Sequence, residues 1–319
     1  AETISLTHDA ANRITRMSTT GGLPVTAPSG ETTLHYGDNS NRLTSATGAM
    51  TKTYNYDAAG NTTSDGSTNL SYDGRGRLIQ VVRNGQTTQY KINGLGQRVA
   101  KNSTNFVYDE QGHLLGEYDA NGVAVQETIW LGNLPVGVMN FAGRFYINHD
   151  HLGAPHSITN SSGAMVWRWD HDPSGQLHPY QNPSQLDEFV YNLRFPGQYY
   201  DQETGLHYNY FRDYNPVVGR YIQSDPIGLA GGLNTYGYAG GKPNQQIDPY
   251  GLENDNSSSI DWKSFAKDSG ELASQIATYI ENSKVYHDMG DNINFLLRNT
   301  LSSVNKVNDA VDFILDFII

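Results

Sequence analysis

The stretch "YDGRGRLIQVVRNGQTTQYKI", residues 72–92, carries the two signals that decide the fold. Its head, Tyr-Asp-x-x-Gly-Arg, reads as a strand end running into a tight turn: the Asp73 side chain caps the turn, and Gly76 stands where φ must be positive. The flanks then alternate. Asn84-Gly85, between two β-rich runs, predicts a two-residue hairpin loop.

The same head returns along the first 123 residues. Copies are "HDAANRI" at His8, "GDNSNRL" at Gly37, "YDAAGNT" at Tyr56, "YDEQGHL" at Tyr108 and "YDANGVA" at Tyr118, with "NGLGQRV" at Asn93 as a worn version. Gly60, Gly112 and Gly122, or Asn12 and Asn41 in their place, are expected at positive φ. The aspartates, at 9, 38, 57, 73, 109 and 119, are unevenly spaced, so the heads are alike while the strands between them differ in length. The expectation is a mainly β chain: an antiparallel sheet of successive hairpins, whose exposed ends need a cap.

Composition agrees. Only 17% of the 319 residues are charged, against roughly 25% in ordinary globular domains, while glycine and tyrosine are plentiful. The net charge of −12 and the lack of any Lys/Arg cluster exclude nucleic acid as a partner of this surface. Without cysteine there are no disulfides, thiolate metal sites or cysteine nucleophile. No run of 18 apolar residues occurs. Because the opening residues "AETISLTHDAANRITRM" already read as a repeat, the chain is expected to be part of a longer polypeptide.

A second duplication is shorter. "SDPIGL", residues 224–229, returns as "IDPYGL", residues 247–252. Each copy has the form of a type I turn: Asp at i, Pro at i+1, Gly at i+3. From about Ala124 the head motif fades and the sequence becomes denser, through "YINHDHLGAPHSITNSSGAMVWRWDHDPSG" to "RFPGQYYDQETGLHYNYFRDYNPVVGRYIQSDPIGLAGGLNTYGYAGGKPNQQIDPYGL". Over residues 1–252 the chain resembles the tyrosine-aspartate repeats and terminal core of the Rhs polymorphic toxins, which are related to the C component of insecticidal Tc complexes.

That resemblance implies a division into repeats (1–123), an Rhs-associated core that is plug and autoprotease (124–252) and a C-terminal toxin segment (253–319). It implies a β-cocoon shell holding the toxin, with further shell upstream in the same polypeptide. It also implies autoproteolysis by an aspartate pair, Asp225 and Asp248, with Arg220 as supporting cation and the cut between Leu252 and Glu253. The toxin is then expected to stay in the shell until delivery. A secreted effector made in the bacterial cytoplasm is implied as well, with a type VI or similar secretion spike or adaptor and an immunity protein as partners, serving interbacterial competition. No cofactor and no metal is implied.

The chemistry suits paired carboxylates, since peptide hydrolysis needs one ionised to take a proton from water and one neutral to give a proton to the carbonyl oxygen. Each Asp precedes Pro, which removes the next N–H as a carboxylate donor. The alternative is a non-catalytic adhesion or binding scaffold in which both Asp-Pro turns are structural.

Other residues read as structural. His149, His151 and His156 near Asp150 look like turn histidines rather than a metal site, and Ser174 lies in a "DPSGQ" turn. Trp167 and Trp169 alternate with Arg168 as on a strand with one core-facing side. After Leu252, "ENDNSSS" reads as a linker. Leu272, Ile276 and Ile280, then Leu297, Leu301, Val304, Val311, Leu315 and Ile318, recur at helical spacing. An α-helical tail is expected, with a membrane as the toxin's first candidate target and an enzymatic toxin as the alternative.

Overall fold

The computed structural model describes residues 3–20 and 30–254. The chain divides into two compact units, and the described fold is that of the first, residues 1–130 and 135–258. The expected helical tail lies outside the described residues.

Strands in sequence order pair with their neighbours. Five, from Thr3–His8 to Lys52–Thr53, form one antiparallel sheet; thirteen, from Asn55–Tyr56 to Met165–Arg168, form a second; four, Tyr199–Asp201, Leu206–Asn209, Arg212–Asn215 and Arg220–Tyr221, form a third. Helix is confined, among the described residues, to two short 3-10 turns, Gly228–Gly231 and Ala239–Gly241. The Asn84-Gly85 loop joins strands Leu78–Arg83 and Gln86–Ile92 as expected, both residues at positive φ (51° and 75°). Those φ values match the right-handed twist of the strands on either side.

The heads share one geometry, which explains their residue types. In four of them the Asp or Asn side-chain oxygen accepts N–H groups two and four residues on: Ala11 and Arg13 onto Asp9, Arg75 and Arg77 onto Asp73, Leu95 and Gln97 onto Asn93, Asn121 and Val123 onto Asp119. In three heads the other carboxylate oxygen takes the side chain four residues on: Arg13 Nε at 2.6 Å from Asp9, Asn61 Nδ2 at 2.8 Å from Asp57 and His113 Nδ1 at 2.7 Å from Asp109. That contact accounts for Arg13, Asn61 and His113 at the end of their motifs, whereas the Arg77 guanidinium binds the Tyr210 carbonyl instead. The tyrosine is a staple between hairpins. Tyr36 OH donates to the Ile14 carbonyl (2.7 Å), Tyr56 OH to Leu43 (2.9 Å), Tyr72 OH to Thr62 (2.7 Å) and Tyr108 OH to Arg98 (3.0 Å), each acceptor just beyond the preceding head.

Two details differ from the sequence reading. In "GDNSNRL" the turn closes from Gly37, whose N–H binds the Arg42 carbonyl; it is one residue longer, and Asn39 rather than Asn41 takes positive φ (53°). The head geometry also persists where the motif fades. Asp150 receives the N–H groups of Leu152 and Ala154, and Asn160 those of Ser162 and Ala164. The thirteen-stranded sheet correspondingly runs without interruption through residues 123–124.

The four-stranded C-terminal sheet reaches every part of the core. Its residues, with those just beside it, enter all four buried clusters: Val218 with Ile14, Leu34 and Leu43; Leu206 and Ile222 with Leu70 and Val81; Tyr199 and Tyr208 with Phe106 and Leu114; Tyr214 and Tyr221 with Val138, Ile158, Trp167 and Trp169. Both tryptophans are fully buried, as their alternation with exposed Arg168 predicts. At roughly 1.5–3 kcal/mol per buried large apolar side chain, these clusters dominate the attachment of the C-terminal sheet to the repeats.

Candidate functional site

Both Asp-Pro-x-Gly-Leu copies form the expected turn. The N–H of Gly228 returns to the Asp225 carbonyl at 3.0 Å and that of Gly251 to the Asp248 carbonyl at 3.3 Å, both glycines at positive φ. The two turns have different exits. After the first, the chain enters the Gly228–Gly231 3-10 turn, and the Ile227 N–H binds Asp225 Oδ1 (3.0 Å). After the second it doubles back, and the Leu252 N–H binds Asp248 Oδ1 (2.9 Å).

The carboxylates meet at Arg212. Its Nη2 lies 3.0 Å from Asp225 Oδ2 and 3.2 Å from Asp248 Oδ2, and the three side chains are 2%, 3% and 1% exposed. Burial pushes both carboxyl groups above their ordinary range; Arg212 opposes this, and each receives a backbone N–H. One guanidinium neutralises one carboxylate, so a single shared proton leaves the buried trio neutral, and that protonation state favours an acid beside a base.

The rest of Arg212 fixes the chain around the proposed cut. Nε donates to the Gly251 carbonyl at 2.6 Å and Nη1 to that of Thr235 at 3.2 Å. Gly251 is at φ +68°, and a Cβ there would come within 2.6 Å of the Asn209 carbonyl oxygen. Gly231 matters equally: a Cβ on it would collide with Asp225 Oδ2 and lie 2.9 Å from the Leu252 carbonyl oxygen. The carbonyl of Leu252 and the carboxyl of Asp225 therefore border one glycine. Glu253 is exposed.

Arg220 is elsewhere. Its strand neighbour Tyr221 turns inward to Asp248, so period-two alternation sends the Arg220 side chain to the opposite face. There Nη2 binds the Asn41 carbonyl (2.5 Å) and the guanidinium lies over the rings of Tyr36 and Tyr236, 5.2 and 4.6 Å from their centroids. It fastens the C-terminal sheet to the repeats. Turn heads along the repeats do likewise: Asn41 Nδ2 donates to the Leu233 carbonyl (2.6 Å), Tyr236 OH to that of Gly60 (2.6 Å) and Tyr250 OH to that of Gln111 (3.1 Å).

The remaining candidates have structural contacts. Asp150 binds His171 Nε2 (2.8 Å) and holds its own turn, while His149 and His151 bind the carbonyls of Pro135 and Asn244. Ser174 Oγ binds Asp172 Oδ2 (2.5 Å) within its turn.

The family model described as teneurin YD-shell matches residues 2–126 and 131–240. Among curated relatives, double-stranded DNA deaminase toxin A of Burkholderia cenocepacia is 40% identical over 134 residues, 41% of this chain and 9% of that protein. Toxin protein Tse5 of Pseudomonas aeruginosa is 39% identical over 34% of this chain and 8% of its own length; the probable deoxyribonuclease RhsB of Dickeya dadantii is 36% identical over 34% and 7%. The match thus spans under a tenth of each of these relatives. Among solved structures, TcdB2-TccC3-TEV superposes with a TM-score of 0.60 at 21% identity, covering 78% of this chain and 13% of that one, a likeness of fold.

Proposed function

The chain belongs to the Rhs/teneurin YD-shell family, and from that premise we propose that it is the C-terminal end of a toxin-carrying shell that cuts itself between Leu252 and Glu253. The observation that carries the reading is the convergence of Asp225 and Asp248 on Arg212 with the Leu252 carbonyl bordering the same glycine as Asp225.

The reaction is hydrolysis by a pair sharing one proton. The ionised carboxylate takes a proton from water as its oxygen bonds to the Leu252 carbonyl carbon, and the neutral carboxyl gives its proton to the carbonyl oxygen. Collapse of the diol breaks the C–N bond. The first carboxyl then protonates the departing Glu253 nitrogen, and the second recovers its proton from the hydroxyl. Arg212 keeps the pair at one net negative charge before protonation and anchors Gly251, so that the bond cannot leave the site. Because the bond lies in the same chain, effective molarity on the order of 10⁵ M or more supplies what substrate binding supplies elsewhere.

In this reading the repeats form part of a cocoon wall, the segment from about Ala124 to Leu252 is plug and protease, and residues 253–319 belong to the cargo, retained until delivery into a target cell. Relatives named as probable deoxyribonuclease RhsB, double-stranded DNA deaminase toxin A and toxin protein Tse5 support the toxin class; the secreted route and the spike, adaptor and immunity partners are part of the same proposal. For residues 253–319, eleven acidic against five basic side chains disfavour a grip on nucleic acid, and the apolar residues at helical spacing, Leu297 to Ile318, favour a membrane-acting cargo. The relatives' names supply the competing case, an enzymatic cargo. Intact mass of the expressed parent chain tests the proposal: a break between Leu252 and Glu253 is expected, and an unbroken chain would favour the non-catalytic scaffold.

A further inference from the structure

Tyr221 makes the two carboxylates unequal. Its hydroxyl lies 2.9 Å from Asp248 Oδ2 and 2.6 Å from Asn209 Nδ2, and the same Nδ2 lies 2.8 Å from the Asp248 carbonyl oxygen. A backbone carbonyl only accepts, so the Asn209 amide must present its NH₂ group there. Its two hydrogens then go to the Asp248 carbonyl and to the Tyr221 oxygen. The tyrosine's single proton has one place left, Asp248 Oδ2.

Proton counting extends to the carboxyl itself. Oδ2 of Asp248 accepts from Tyr221 and from Arg212 Nη2, and Oδ1 accepts the Leu252 N–H, so both oxygens are occupied as acceptors. Asp225 Oδ1 accepts the Ile227 N–H, whereas Oδ2, beside Arg212, borders the site of the Leu252 carbonyl oxygen. A proton on Asp225 Oδ2 stands on the side of the Leu252 carbonyl oxygen; a proton on Asp248 Oδ2 displaces a donor.

Resting on the autoproteolytic reading above, we propose that Tyr221, oriented by Asn209, is a positioning residue that holds Asp248 as the ionised base and leaves the shared proton on Asp225, the acid. Tyr221 acts on both partners, because the Arg212 guanidinium also stacks on its ring, 3.8 Å from the centroid. The residue is 1% exposed, its ring held by edge contacts with Tyr214 and Tyr238.

The test is Tyr221→Phe, which keeps the ring under Arg212 and removes the donor. The full-length parent chain is made by cell-free translation, and the fraction cut is followed by intact mass from pH 5 to 8.5. Charged and titratable groups facing the pair are Arg212, Tyr221 and Tyr238, with exposed Glu253 acting on Asp225. Losing a donor raises the pH at which Asp248 ionises, so cleavage should slow tenfold or more at pH 7 and its ascending limb should move to higher pH. Asn209→Ala, which frees the hydroxyl to rotate, should move the limb the same way by less, and serves as the readout should Tyr221→Phe not fold. An unchanged profile in whichever variant folds overturns the proposal, as does uniform slowing without a shifted limb. Asp248→Asn separates the two levels: if that variant is cut normally, the autoproteolytic reading fails first.

Discussion

Leu252 gives its backbone N–H to Asp248 Oδ1 at 2.9 Å, so the residue preceding the proposed cut is tethered to one of the two carboxylates proposed to make it. The tether runs through one turn and needs no separate binding cleft.

Asp225→Asn and Asp248→Asn should each lower the cleavage rate by a hundredfold or more, because an amide neither titrates nor replaces the shared proton. Arg212→Gln should do the same and should also lower stability, since it leaves two buried carboxylates without their cation. Arg220→Ala should cut within a few-fold of the natural rate while weakening the hold on Asn41. Time courses on denaturing gels with melting curves distinguish these outcomes; an inactive but stably folded Arg220→Ala would move the cation's role to Arg220.

Gly231→Ala places a methyl group where Asp225 Oδ2 and the Leu252 carbonyl oxygen come together. Cleavage should fall at least tenfold with a small change in melting temperature. Equal rates for Gly231→Ala and the natural chain would mean that the Leu252 carbonyl does not react in this position.

Asp201 lies between Arg98 Nη1 (2.5 Å) and Lys101 Nζ (3.3 Å), and the Arg98 guanidinium is ringed by Tyr90, Phe106, Tyr199 and Tyr208. Asp201→Asn strands a buried cation and should cost about 3–5 kcal/mol. Denaturant unfolding measures it. A loss under about 1 kcal/mol would show that the four rings alone sustain Arg98.

Asp213, buried beside Gln223, is pushed up to about 6, chiefly by burial. The folded chain therefore holds a proton on it between about pH 4 and pH 6 that the unfolded chain has lost, so stability falls as pH rises through that window. Asp213→Asn should remove this slope and gain about 2–3 kcal/mol at pH 7, equivalent to the two-unit shift. Melting temperature against pH for both chains checks it, and parallel curves would count against a neutral Asp213.

What the sequence disclosed was local chemistry. Asp73, Gly76 and the Asn84-Gly85 loop could be read because turn formation is decided within five residues, and Trp167 and Trp169 because alternation reports which side of a strand is covered. What escaped depends on contacts between distant segments or on strand facing. Arg212 meets Asp248 across 36 residues, and no spacing rule connects them. Arg220, nearer to Asp225 in sequence, is the natural choice, yet its place beside Tyr221 turns it away; the facing of that two-residue strand is the available signal. Asn41 misses the positive-φ position because its head carries one additional residue. The persistence of the head at Asp150 and Asn160 is masked by the loss of the tyrosine, although the turn chemistry there is unchanged.

The uneven reach of the contacts sets an order of assembly. Hairpins pair with their sequence neighbours and close short loops, so they form early and in step with synthesis. The contacts that seat the two Asp-Pro turns are of another kind: Asn41 to Leu233 spans 192 residues, Gly60 to Tyr236 spans 176 and Gln111 to Tyr250 spans 139. Loop-closure entropy places these last. Asp225 and Asp248 thus come together only on repeats already paired, and a chain that stalls or misthreads never assembles the proposed pair. Scission would then act as a completion signal, marking the molecules whose folding has reached its end.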